Sequence, residues 1–142
     1  MQGRRDEIAT LLRKAQHDLI AGRALKDAGI PDIVCFHAQQ AAEKALKALL
    51  ASQGVAYPFQ HNLQVLMALL ADVPHPLERR RDDIEQLTEY ATTERYEDIV
   101  RPDPAQVDVA VEVAQLVYET VYAIVLPDEH DPSEETDDEP ES

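Results

Sequence analysis

Between Ile33 and Ala51 the chain reads IVCFHAQQAAEKALKALLA. At about 100° per residue, Val34, Ala38, Ala41, Ala42, Ala45, Leu46 and Leu49 cover more than half of a helix circumference. A helix that apolar is expected at the centre of a bundle. The polar remainder is a narrow strip of His37, Gln40, Lys44 and Lys47, with Gln39 and Glu43 on one flank beside Phe36 and Leu50. Two of the chain's four lysines lie there.

Upstream, Ile8, Leu12, Ala15 and Leu19 recur at steps of three and four, with Leu11 and Leu25 beside them. This spacing predicts an amphipathic helix over about 5-28, ended by Gly29 in a left-handed cap. Pro31 fits the first turn of the central helix, about 31-53, because that position needs no amide donor. A tight antiparallel hairpin follows. Gly54 closes the second helix and Pro58 blocks its continuation. Asn62 is the expected N-cap of a short helix at about 62-71. After VPHP, a fourth helix over about 76-95 places Leu77, Ile84, Leu87 and Ala91 on one side. Its opposite side begins with a charge run in which acids flank Arg79, Arg80 and Arg81, as on a solvated face. The last helix, about 104-126, starts at Pro104 and carries a seam of Val107, Ala110, Val111, Ala114, Val117, Val121 and Val125. There is no internal repeat and no strand pattern. The expected fold is an all-α, up-and-down bundle of four to five helices over residues 1-127, with an acidic disordered tail over 128-142.

Composition changes this picture in two places. The net charge of -15 is largely a tail property: from Asp128 onward there are nine acidic residues and no lysine or arginine, which leaves the body at -6. A body of that charge offers no broad basic face to DNA, while a local pocket for one phosphate group stays open. The tail serves solubility, or alternatively attracts a basic partner surface. No run of 18 apolar residues exists, and the charged N-terminus is unlike a signal peptide, so a cytoplasmic protein without a membrane span is expected. The single cysteine, Cys35, sits among apolar neighbours and reads as a buried thiol, with no metal site.

Candidate chemistry gathers on the central helix. Glu43 and Lys47 are spaced for a helical ion pair, acid first. His61 either closes a loop or joins that pair. Extending the fourth helix by one turn puts Arg95 on the core side, where a guanidinium needs an acid such as Glu43 or a bound anion. Lys44 and Lys47 would bring mobile positive charge to a phosphate and Arg95 a bidentate fork, while Tyr96 stacks on a base or packs. The apolar breadth of the central helix, with Phe36, Leu50 and Gln39 at its polar edge, predicts a homodimer.

Phe36 to Leu50, then His61-Asn62-Leu63, then Leu87 to Tyr90 leading to Arg95-Tyr96, resemble the HEPN domain (higher eukaryotes and prokaryotes nucleotide-binding) from about Arg13 to Val125. The FHAQQAAEKALKALL block is the specific element. The resemblance implies a helical bundle, usually homodimeric, often encoded beside a small nucleotidyltransferase and able to bind a nucleotide or act with that partner. On it, His37, Gln40, Glu43, Lys44, Lys47, His61, Arg95 and Tyr96 are candidate ligand-binding residues for ATP or GTP. No catalytic residue, cofactor or metal is expected. Two positions depart from the family pattern: Asn62 stands where aspartate is common after the histidine, and Glu97 where proline is common after Arg95-Tyr96. The ribonuclease branch, related to toxin-antitoxin systems, has a histidine after an arginine with four to six residues between. Here Val100, Arg101 and Pro102 stand at those positions after Arg95, and no other arginine and histidine fit. That branch needs the histidine for proton transfer, so activity is not expected. A degenerate HEPN ribonuclease toxin, or a dimeric scaffold without a small ligand, are the alternatives.

Overall fold

A computed structural model describes residues 2–91 and 101–129. They form five α-helices: α1 (Gln2–Ala24), α2 (Pro31–Ser52), α3 (Leu63–Leu69), α4 (Arg81–Gln86) and α5 (Pro104–Glu129). Two 3-10 turns, Leu77–Arg80 and Leu87–Tyr90, flank α4. No strand occurs among the described residues.

Helix α2 is the axis. Its most extensive packing is against α1, then α5. Ala41, Ala42, Ala45 and Ala48 have no exposed surface, so the backbones of neighbouring helices can approach closely, while Leu46, Leu49 and Leu50 fill the space between them. From Val34 to Ala51 only Phe36, His37, Gln40 and Lys44 keep partial exposure. Leu50 and Gln39, expected at an uncovered edge, are fully buried within the one chain.

The turn between α1 and α2 uses Gly29 at φ 80°, as its left-handed role requires. However, α1 stops at Ala24, because Lys26 and Ala28 bond three residues back, to Arg23 and Leu25, in tighter turns. Pro31 opens α2, and Gly54, at φ 72°, follows its end. Asn62 caps α3 by accepting from the Gln64 amide at 2.8 Å.

The fourth helix is not continuous. Leu77, Ile84 and Leu87 are buried as expected, but the segment tightens to 3-10 geometry at both ends of α4. The later turn brings the Thr88 hydroxyl to accept from the Leu63 amide at 3.0 Å, which satisfies an open donor at the start of α3. Arg80 and Arg81 lie among acids, pairing with Asp83 and Glu112 and with Glu78 and Glu85, so these two are neutralised as expected, while Arg79 is exposed. In α5 the buried seam includes Val113, while Val111 is only partly covered. That helix continues to Glu129, past the expected end near 126. Lys26 meets Asp108 at 3.0 Å and Arg101 donates to the Gly29 carbonyl at 2.8 Å. These contacts fix the start of α5 beside the α1–α2 turn, so α5 runs antiparallel to α1. The expected tail, apart from Asp128 and Glu129, lies outside the described residues.

Candidate functional site

Steps of four along α2 place Gln39, Glu43 and Lys47 in one column. The loop 53–62 folds back over that column, and its far end delivers His61. Lys47 donates to Glu43 Oε2 at 2.8 Å. His61 Nδ1 lies 2.9 and 3.1 Å from the two carboxylate oxygens, and Gln39 Nε2 donates to Oε1 at 3.1 Å and to the His61 carbonyl at 3.0 Å. Gln40 Nε2 donates to Gln39 Oε1 at 2.8 Å and reaches Glu43 Oε1 at 3.5 Å. One carboxylate therefore organises four side chains from a helix and a loop.

Burial differs sharply within this network. The side chain of Glu43 is 4% exposed and that of Lys47 11%, whereas that of His61 is 63% exposed. Burial alone pushes the Glu43 carboxyl upward; hydrogen bonds from Lys47, His61 and Gln39, with the Lys47 charge, outweigh it and hold the group below its ordinary value. The ionised carboxylate accepts, so His61 Nδ1 carries the proton and Nε2 is left without a hydrogen-bond partner among the described residues. Lys47 also lies 5.6 Å from the centre of the Tyr57 ring, and Tyr57 donates its hydroxyl to Glu7. Burial, then Glu7, pushes that phenol up to about 12.

The rest of the strip faces α1. Asp18 Oδ1 meets His37 Nδ1 at 2.9 Å and its other oxygen accepts from Lys44 Nζ. Its side chain is 13% exposed, against 24% and 25% for its partners. The Phe36 ring stands edge-on to His37, centroids 5.6 Å apart.

Of the residues singled out from sequence, Gln40, Glu43, Lys47 and His61 come together, while His37 and Lys44 form a second cluster. Arg95 and Tyr96 lie outside the described residues. The mobile positive charge expected of the lysines meets a carboxylate inside the chain in both cases. Glu43 and Lys47 form the expected pair, but as a buried one and not a surface one. Asp18, Tyr57 and Glu7 were missed. Asp18 had one visible signal: it is the only acid between Ile8 and Lys26. Among the described residues no three His, Cys, Asp or Glu side chains are grouped to hold a metal ion, and no helix is long and apolar enough to cross a membrane.

The HEPN domain model matches residues 8–125, which spans α1 through α5 with the Glu43 network inside it. The chain belongs to the HEPN family. Among solved structures, the HEPN bundle described above is similar to TT1696 from Thermus thermophilus, with TM-score 0.70 and 28% identity over 82% of this chain and 96% of that one. It is also similar to ST0689, an archaeal HEPN homologue, with TM-score 0.66 and 25% identity over 83% and 97% of the two chains. Comparison with curated proteins returns no match.

Proposed function

We propose that this HEPN chain is a binding module that takes a nucleotide such as ATP or GTP, acts as the non-catalytic partner of a small nucleotidyltransferase, or does both as a homodimer. The observation that carries this reading is the Glu43 network: a buried carboxylate fixes the tautomer and direction of an exposed imidazole and steadies Gln40 beside it. Groups held this way meet a ligand without first being ordered. Lys44 and Lys47 are each engaged by a carboxylate, so contact with a phosphate would fall to Arg95 and a nucleobase to Tyr96, with His61 and Gln40 supplying hydrogen bonds.

The test is calorimetric titration of the purified chain with ATP, GTP and a nucleotidyltransferase encoded beside it, alongside His61→Ala and Arg95→Ala. His61 is largely exposed, so its variant retains the fold by circular dichroism. Saturable binding, lost in folded His61→Ala and Arg95→Ala, is the expected result; no heat with either nucleotide or the partner overturns the reading. Light scattering that reports a monomer at micromolar concentration removes the homodimer.

A second reading, the degenerate ribonuclease, has one observation in its favour: a carboxylate-oriented imidazole with an open nitrogen is the arrangement a general base uses. RNA left intact after prolonged incubation with the chain excludes it.

A further inference from the structure

The loop 53–62 that brings His61 to Glu43 also carries the most exposed of the large apolar side chains among the described residues. Phe59 is 102% exposed, whereas Ile20, Val109 and Tyr122 keep 56% or less. A single apolar side chain in water needs no explanation by itself. Its place on the loop is what sets Phe59 apart. Two residues before it, Tyr57 lies against the Lys47 ammonium and donates its hydroxyl to Glu7. Two residues after it, His61 meets Glu43 through Nδ1 and accepts from Gln39 at its carbonyl. Fully extended, the four steps from Tyr57 to His61 would cover about 14 Å, while Lys47 and Glu43 are one helical turn, about 6 Å, apart. The chain bends instead: the Gln60 amide donates to the Pro58 carbonyl at 2.9 Å, and Phe59 is the residue enclosed by that turn. A bend tied down on both sides therefore presents the ring to solvent.

The groups beside the ring are directed and nearly neutral. Lys44 and Lys47 are each met by a carboxylate, Asp18 and Glu43. His61 Nε2 has no hydrogen-bond partner among the described residues. Two residues of chain, about 7 Å at most, separate the aromatic face from that imidazole. The combination suits a planar, uncharged group that stacks through its face and hydrogen-bonds through its edge. A nucleobase has this chemistry, whereas a phosphate has no face to stack and an aliphatic side chain no edge to bond.

We propose, on the nucleotide reading of this site, that Phe59 is a stacking platform for the base, with His61 Nε2 at the base's edge. A base laid on the ring takes apolar surface of both partners out of water and adds the attraction between their faces. Every base has such a face, so Phe59 supplies affinity and the edge contact at His61 supplies orientation. Ties at Tyr57 and His61 spare the cost of ordering the bend on binding.

Calorimetric titration with ATP on the wild-type chain and on Phe59→Ala tests this. The ring buries no surface, so the variant keeps its fold and its Tm. It is expected to bind ATP about 5- to 150-fold more weakly. The chain has no tryptophan, so Phe59→Trp installs a single emitter at the site. ATP is expected to quench that emission, and inorganic tripolyphosphate, which has no base, to leave it unchanged. Equal ATP affinity in wild type and Phe59→Ala overturns the stacking and leaves the nucleotide reading standing, as does quenching by tripolyphosphate as strong as by ATP. No binding of ATP or GTP to the wild type overturns the stacking and the nucleotide reading together. A Phe59→Ala chain that holds ATP normally but no longer binds the nucleotidyltransferase assigns the ring to a protein contact and also overturns the stacking.

Discussion

Replacing Glu43 by glutamine preserves the volume of the side chain and removes its charge, so the loss reports electrostatics and not a cavity. In the folded chain the Lys47 ammonium would then sit at 11% exposure with no carboxylate beside it. Breaking a buried pair by removing one partner costs about 3 to 5 kcal/mol, and the partial exposure of Lys47 places Glu43→Gln at the lower end, about 3 kcal/mol. For a domain of this size that lowers Tm by about 10 °C. Substituting both residues, Glu43→Gln with Lys47→Met, removes the stranded charge and recovers about 2 kcal/mol, because a neutral pair does not carry the desolvation penalty. Urea unfolding followed by circular dichroism measures all four corners of this cycle. The pH dependence carries a sign of its own. The folded Glu43 carboxyl lies below its ordinary value of 4.5, so its contribution is fully present above that pH and is lost as pH falls through the lower folded value. The gap between wild type and Glu43→Gln should therefore close under acid conditions. A single variant costing less than about 1 kcal/mol, or a double variant as unstable as the sum of the two singles, would refute the assignment of Glu43 as an ionised hub.

Two further outcomes follow from the same geometry. Asp18→Asn leaves Lys44 and His37 without their carboxylate between α1 and α2 and is expected to cost about 1 to 2 kcal/mol by the same urea assay, with helix content unchanged. Cys35 has no exposed surface, and burial, then Asp32 and Glu89, push its thiol up to about 11. It should ignore an aromatic disulfide reagent in the native state at mildly alkaline pH and react once per chain in urea; rapid native reaction would mean that the start of α2 opens readily.

Much of this architecture was legible in the order of apolar residues. The alanine-rich block of α2 could only be central, and Gly29, Pro31, Gly54 and Asn62 each did the backbone work their side chains suit. The break around α4 was not legible, because Leu77, Ile84 and Leu87 satisfy a helical spacing whether or not the segment tightens. What forces the change is Thr88 reaching the Leu63 amide, a contact across 25 positions. Within the site, periodicity grouped Gln40, Lys44 and Lys47 on one strip and could not say what faced each. A helical wheel carries no information about the loop that buries Glu43 and Lys47, or about Asp18 on another helix. The family resemblance nominated candidate residues, whereas only the fold could show that Lys44 and Lys47 are each paired with a carboxylate.

That pairing has a consequence for recognition. Glu43 with Lys47 and Asp18 with Lys44 each sum to zero, so the described part of the α2 site offers directed hydrogen bonds from His61, Gln40 and His37 but little net charge. A ligand held there would bind with a shallow salt dependence unless Arg95 contributes, since screening weakens interactions between net charges far more than short hydrogen bonds. The exposed face of α1 that carries Arg13 and Lys14 is the reverse case, with charge and few fixed acceptors or donors, and anything it holds should leave at high salt. The slope of affinity against salt therefore separates the two surfaces without a structure of either complex: steep for α1, shallow for α2, with any excess slope at α2 that vanishes in Arg95→Ala measuring what that arginine adds.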